Sequence, residues 1–108
     1  MSENAIVYAR VSTKRQAEEG ASLPAQVEAC QKYAADSGLN VVNVIQDDGY
    51  SGMKYSRPGL NEAKDMIENG QAAALIVYSS DRLTRKLAHK VLFDELLEEA
   101  DAKLHYVV

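Results

Sequence analysis

Ala5-Ile6-Val7-Tyr8-Ala9-Arg10-Val11-Ser12-Thr13 is the stretch from which the rest of the chain is read. Its apolar, β-branched run predicts a buried strand from Ala5 to Val11. That strand ends by presenting a cation and a hydroxyl, Arg10 and Ser12, at its carboxyl edge. In an open α/β sheet this edge is where ligands bind and chemistry happens. Arg15, Arg57, Arg82 and Arg85 fall in comparable places, each in or just after a stretch expected at the carboxyl end of a strand.

Outward from this strand, helices and strands alternate. Ser22 is an expected N-cap, with Pro24 in the first turn of the helix that follows. Val27, Cys30 and Ala34 form its apolar stripe, and Gly38 ends it. Val41 to Ile45 reads as a second strand, and Asp47 to Pro58 as a loop. A second helix turns Leu60, Ala63 and Ile67 inward and closes at Gly70. Ala73 to Tyr78 is a third strand, continuous enough to be covered on both faces. A helical stretch after Ser79-Ser80-Asp81 is expected to turn Leu87, Leu92, Leu96 and Ala100 inward. A fourth strand starts at Lys103. The order predicts an α/β fold in three layers: a mainly parallel four-stranded sheet with helices on both faces and right-handed crossovers.

With 108 residues, the chain has room for one domain with a modest core. No apolar run approaches the roughly 20 residues of a membrane span. The start, Met1-Ser2-Glu3-Asn4, lacks the basic and apolar regions of a secretion signal, so a cytoplasmic protein is expected. The single cysteine, Cys30, excludes an internal disulfide and a cysteine-rich metal site. The net charge of −4 argues against a free-standing nucleic-acid binder. The charges are segregated, however, with carboxylates on helical stretches and arginines at strand exits, which leaves room for a local anion site. Val107-Val108 is an apolar finish and reads as the end of a truncated domain spanning 1–108.

The residues expected at the strand edge are Arg10, Ser12, Arg57, Asp81, Arg82 and Arg85. Arg82 and Arg85 are three apart and share a face if that segment is helical. Arginine suits phosphate because its planar fork donates two parallel hydrogen bonds and keeps its charge. Ser12 among such groups is a candidate nucleophile, and Asp81 a candidate proton acceptor or orienter of an arginine. Competing readings stay open: Ser12 as a cap of the polar turn after the strand, and Arg82 with Arg85 as a solvated helix face. Asp47-Asp48 evokes a metal but follows the second strand, where carboxylate-led metal sites do not begin. No cofactor is expected. His89 and His105 read as structural or surface residues, and Gly49-x-x-Gly52 as a turn.

Taken together, these residues resemble the catalytic domain of the serine recombinases, the resolvase/invertase family. The resemblance rests on Tyr8-Ala9-Arg10-Val11-Ser12-Thr13, on Gln26 within Ser22-Leu23-Pro24-Ala25-Gln26, on Asp48-Gly49-Tyr50-Ser51-Gly52 followed by Arg57-Pro58-Gly59-Leu60, and on Ser80-Asp81-Arg82-Leu83-Thr84-Arg85. The Ser22-to-Gln26 form, the long Lys14-to-Ala21 loop and the Arg57-Pro58 pair are most like the large serine recombinases of phages and mobile elements. The resemblance implies a DNA strand transferase for site-specific recombination and DNA integration. Ser12 would attack a phosphodiester and form a 5′-phosphoserine. Arg10, Arg82 and Arg85 would hold the phosphate with help from Arg57. Asp81 would handle protons at the leaving oxygen, and Gln26 would orient the site. DNA is the implied partner, with a dimer and a synaptic tetramer in the full-length protein, and neither metal nor ATP is implied.

Family members also carry a long dimerisation helix and separate DNA-binding domains, which these 108 residues do not include. The chain alone is therefore expected to be inactive and to bind DNA weakly and without sequence preference. Its loops Lys14 to Ala21 and Asp47 to Ser56 are expected to be the least ordered. Ser12 is expected to stand too far from the arginines for a hydrogen bond until DNA is present. The alternative function is a non-enzymatic α/β module that binds a nucleotide or phosphate at its arginine edge.

Overall fold

A computed structural model describes residues 3–12 and 20–108. Arg15 and most of the loop from Lys14 to Ala21 lie outside the described residues. The elements run β1 (Asn4–Val11), α1 (Leu23–Ser37), β2 (Asn40–Asp48), α2 (Pro58–Glu68), β3 (Ala74–Val77), α3 (Ser80–Leu83), α4 (Leu87–Glu99) and β4 (Lys103–Tyr106). The strands form one sheet in the order β2-β1-β3-β4 with every pairing parallel. β1 is central, and all its residues from Ala5 to Val11 are buried. A strand flanked by parallel neighbours and covered on both faces needs a near-continuous apolar run, and β1 and β3 supply one each.

Alternation along β1 sends side chains to two cores. On one face Ile6 and Tyr8 join Ile45, Leu60, Ala63, Ile67, Leu83, Phe93 and Leu97 beneath α2 and α4. On the other, Ala5 and Val7 meet Cys30 and Ala34 of α1, with Ala74 and Ile76 of β3. This is the three-layer arrangement expected from the sequence. Burial pushes the Cys30 thiol up to about 11, as befits a packed apolar side chain.

α1 begins and ends as its sequence dictates. The Ser22 side chain accepts a hydrogen bond from the Ala25 amide at 3.3 Å, and Gly38 closes the helix in the left-handed conformation at φ 71°. α2 starts differently. Its N-cap position is Arg57, which makes no capping bond. The Asp47 carboxylate of β2 reaches across instead, accepting from the Gly59 and Leu60 amides at 2.8 and 2.9 Å. A carboxylate on a helix N-terminus satisfies orphan donors and meets the positive end of the helix dipole. Gly59 is needed there, because a Cβ would lie 2.8 Å from Asp47 Oδ1.

Three readings of the sequence need correction. β2 extends to Asp48, so Asp47 is a buried strand residue paired with Arg10 rather than part of a loop. The stretch after Ser79 is two helices, because Thr84 takes an extended conformation and breaks the chain direction between them. This break rotates α4, so that Leu87 is 78% and Leu92 49% exposed while Phe93 and Leu97 carry its core contacts. Leu96 and Ala100 do pack against the core, as expected.

Candidate active site

Arg10 organises the carboxyl edge of the sheet. Its side chain is 0% exposed, and its guanidinium is wrapped by protein acceptors. Nε donates to the Arg82 carbonyl at 3.1 Å and Nη2 to the Asp81 carbonyl at 2.7 Å. Nη1 donates to the Tyr50 carbonyl at 2.9 Å and to Ser12 Oγ at 2.5 Å. The expected gap between Ser12 and the arginines is therefore absent, since both leave one strand end and Arg10 folds back onto the hydroxyl. Burial and the nearby Arg57 charge push the Arg10 pKa down to about 10, which still leaves it charged at neutral pH.

The main chain of Arg10 is held as firmly as its side chain. Gln26, wholly buried on α1, donates from Nε2 to the Arg10 carbonyl at 3.1 Å and to the Ala21 carbonyl at 2.9 Å. Its Oε1 accepts from the Arg10 amide at 3.3 Å. The amide thus replaces ladder bonds past the point where pairing with β3 ends at Tyr8, and it orients the strand end that carries Ser12.

Arg57 is turned inward, with only 1% of it exposed. Nη1 donates to the Tyr8 hydroxyl at 3.1 Å, Nη2 donates to the Leu83 carbonyl, and the guanidinium carbon lies 5.7 Å from the Tyr8 ring centre. The Tyr8 hydroxyl in turn donates to Asp47 Oδ2 at 2.6 Å. Burial, opposed by Arg57 and assisted by Asp47, drives the Tyr8 hydroxyl far above its ordinary pKa. Burial also lowers the pKa of Arg57. Asp81, Arg82 and Leu83 offer successive carbonyls at the end of the one-turn helix α3. Arg10 takes the first two and Arg57 the third. Two interior arginines thereby satisfy helix-end carbonyls that would otherwise lack donors.

The other two arginines are differently placed. Arg82 is 6% exposed, and its Nη1 has no hydrogen-bond partner among the described residues. Arg85 is exposed, and its amide donates to the Gly52 carbonyl at 2.9 Å. Because α3 ends at Leu83, the two do not share a helical face as the sequence reading expected. Gly52 sits against the site, and a Cβ there would lie 2.8 Å from both Arg10 Nη2 and Arg85 Cγ. Asp81 is exposed and accepts from Ser79 Oγ at 2.5 Å. Burial raises its pKa, but the Ser79 hydrogen bond and the charges of Arg82 and Arg10 outweigh this, so the carboxyl titrates below its ordinary value.

The structure thus brings Arg10, Ser12, Gln26, Arg57, Asp81, Arg82 and Arg85 to one edge. Sequence reasoning missed Tyr8, Asp47 and Ser79 as parts of it. Asp47 had a legible signal. It shares a strand face with Ile45, pointing into the core, and the helix after Arg57 has no local cap. Among the described residues no group of three or more His, Cys, Asp or Glu side chains is arranged to hold a metal ion. No helix among them is long and apolar enough to cross a membrane.

Comparison with known proteins points the same way. The family model described as the resolvase N-terminal domain matches residues 5–108. A protein named as a DNA recombinase in Bacillus subtilis (strain 168) is 38% identical over 101 residues, 94% of this chain but 20% of that protein. The transposon Tn917 resolvase of Enterococcus faecalis is 30% identical over 92 residues, 85% of this chain and 42% of the resolvase. The chain therefore spans a minor part of both relatives. Among solved structures, the N-terminal catalytic domain of TP901-1 integrase superposes with a TM-score of 0.89 at 32% identity, covering 97% of this chain and 78% of that one. The C-terminal catalytic domain of ISC1926 TnpA, an IS607-like serine recombinase, gives 0.84 at 31% identity, covering 96% and 70%.

Proposed function

The chain belongs to the resolvase N-terminal domain family, the catalytic domains of serine recombinases, and from that membership we propose how its own residues divide the work of cutting and rejoining DNA. Ser12 Oγ attacks a DNA phosphorus. The bond from phosphorus to the 3′ oxygen breaks, leaving a 5′-phosphoserine and a free 3′ hydroxyl. Attack by a 3′ hydroxyl reverses the step and releases the serine. The phosphodiester bond energy is conserved in the ester, so no nucleotide cofactor is consumed.

The observation that carries this reading is the Arg10–Ser12 hydrogen bond of 2.5 Å at a strand edge shared with Arg82 and Arg85. A guanidinium donating to a hydroxyl favours its ionised form and aims it. Arg82, whose Nη1 has no hydrogen-bond partner among the described residues, and the exposed Arg85 take the phosphate oxygens and stabilise their growing charge. Arg57 acts from the interior by fixing the Leu83 carbonyl. Its burial argues for this role over direct phosphate contact. Asp81, ionised at neutral pH, suits accepting a proton from the attacking 3′ hydroxyl during rejoining. Gln26 orients the strand end.

DNA is the substrate, and subunits of the same chain pair as dimers and a synaptic tetramer in the cytoplasm, at the nucleoid. At a net charge of −4, residues 1–108 supply chemistry rather than site recognition, and alone they bind DNA weakly. The test is covalent capture. The polypeptide of the complete open reading frame that contains this domain is mixed with its DNA and quenched in detergent, and the DNA-linked peptide is sequenced. The expected link is to Ser12, and Ser12→Ala is expected to bind DNA without forming it. An adduct that persists in Ser12→Ala would assign the chemistry to another residue.

A further inference from the structure

Between Asp48 and the start of α2 the chain has no regular secondary structure, yet this loop covers the site. Its Tyr50 carbonyl receives Arg10 Nη1, and its Gly52 carbonyl receives the Arg85 amide. Within the loop, hydrogen bonds are sparse: the Lys54 amide reaches the Ser51 carbonyl at 3.3 Å, and the Met53 amide reaches Ser51 Oγ at 3.1 Å. The loop is held at its start by the Gly49 and Tyr50 amides, which donate to the Val11 carbonyl at 2.8 and 3.3 Å, but from Met53 to Tyr55 no hydrogen bond among the described residues reaches the body of the protein.

Besides Arg57 at its end, Tyr55 of the loop reaches inward. Tyr55 packs against the core beside α2 and α4. Lys64 of α2 places Nζ 3.9 Å from the centre of its ring. The His89 ring of α4 lies 5.2 Å from it, tilted by 51°. His89 Nδ1 is buried without a hydrogen-bond partner among the described residues. Leaving a ring nitrogen unsatisfied costs stability, so the role of this histidine lies in its ring contact rather than in a polar bond. Burial shifts both neighbours toward their neutral forms, raising the Tyr55 pKa and lowering that of Lys64, which marks the stack as partly withdrawn from water.

We propose that Tyr55, held by its ring contacts with Lys64 and His89, is a positioning residue that pins the site loop over Arg10 and Arg85 and ties that loop to α4. The grip sits between Gly52 and Arg57, two of the points where the loop meets the site. A ring in contact with a cation and with a second ring gives up favourable interactions when it moves. α4 packs on the rest of the domain mainly through α2 and β4, and the same stack joins α4 to α2. A shift of α4 therefore moves the loop, and with it the carbonyls that orient Arg10 and the Arg85 backbone.

The test reads the loop directly in the 108-residue chain by amide hydrogen exchange. Tyr55→Ala is expected to speed exchange of the Arg85 amide roughly tenfold, with β1 and β3 amides unchanged. His89→Ala is expected to give a smaller change in the same direction. Tyr55→Phe keeps the ring and is expected to restore slow exchange. The proton signals of His89 are expected to lose the ring-current shift from residue 55 in Tyr55→Ala only. Unchanged exchange at Arg85 in a folded Tyr55→Ala overturns the proposal, as does equal acceleration throughout the sheet. If Tyr55→Ala does not fold, His89→Ala decides by the same criterion. In the polypeptide of the complete reading frame, Tyr55→Ala is expected to slow formation of the covalent DNA complex at unchanged DNA affinity, with Tyr55→Phe restoring the rate. This last arm rests on the strand-cleavage reading. An unsubstituted polypeptide that forms no complex counts against that reading alone, whereas the exchange result judges the grip.

Discussion

Arg10 and Arg57 share an edge of the sheet with Arg82 and Arg85, but the two pairs are spent differently. The inner pair is enclosed, and its guanidinium groups are directed at Tyr50, Asp81, Arg82 and Leu83 carbonyls and at the Ser12 and Tyr8 hydroxyls. In the outer pair, Arg82 Nη1 is buried without a hydrogen-bond partner among the described residues, as is Arg57 Nε within the inner pair, and Arg85 is solvent-exposed. Charge alone would make the four equivalent. Their partners make two of them framework and leave two with capacity for an incoming anion. Four cations this close, among few carboxylates, repel one another, and the inner pair tolerates this because carbonyl and hydroxyl dipoles surround it.

The contrast can be broken most severely at its centre. Arg10→Ala strips donors from three carbonyls, of Tyr50, Asp81 and Arg82, and empties a wholly buried position; it is expected to lower unfolding stability by roughly 3–5 kcal/mol, measured by urea denaturation. A loss under about 1 kcal/mol would show that Arg10 is not framework. Arg82→Ala is expected to do the opposite. Its stability should change by less than about 1 kcal/mol, while the rate of covalent complex formation in the complete polypeptide falls about 10²–10³-fold. Equal effects of both variants on stability would erase the distinction between the pairs.

Gly52→Ala sharpens the comparison because it touches one arginine of each pair. The added methyl would press on Arg10 Nη2, which is pinned, and on Arg85 Cγ, which is not. The expected cost is about 1–2 kcal/mol, with amide shifts larger at Arg85 than at Arg10. The smallest effect concerns Asp81. Its carboxyl titrates below the ordinary 3.8, so its contribution to stability is complete above that value and is lost as pH falls through the lower, folded-state value. The group is largely exposed, so solvent screening limits this to a few tenths of a kcal/mol, about the scale of a surface pair. Ser79→Ala is expected to move the Asp81 titration upward, measured by side-chain carboxyl NMR.

How much of this was legible in the residues follows the same division. β1, β3, the caps of α1 and the parallel order all follow from local pattern: near-continuous apolar runs, Ser22 before Pro24, Gly38 after the last apolar position. The arginine edge was legible too, because strand ends in this architecture converge. What was hidden depends on long-range partners. Asp47 announces its place on the core face of its strand but not the helix eleven residues later that it caps, and nothing local announces that Arg57 turns inward to the Tyr8 hydroxyl. The break at Thr84 was hidden because Leu87, Leu92, Leu96 and Ala100 make an acceptable helical stripe on paper. Phe93 and Leu97 make a better one once α3 has redirected the chain.

The division between the pairs is tested most directly by the arginine side-chain N–H signals of the 15N-labelled chain during titration with a short DNA duplex at low salt. The expected result is progressive shifts at Arg82 and Arg85, with Arg57 unmoved and Arg10 responding only through its bond to Ser12. Shifts at Arg57 equal to those at Arg85, with Arg82 unmoved, would contradict the account.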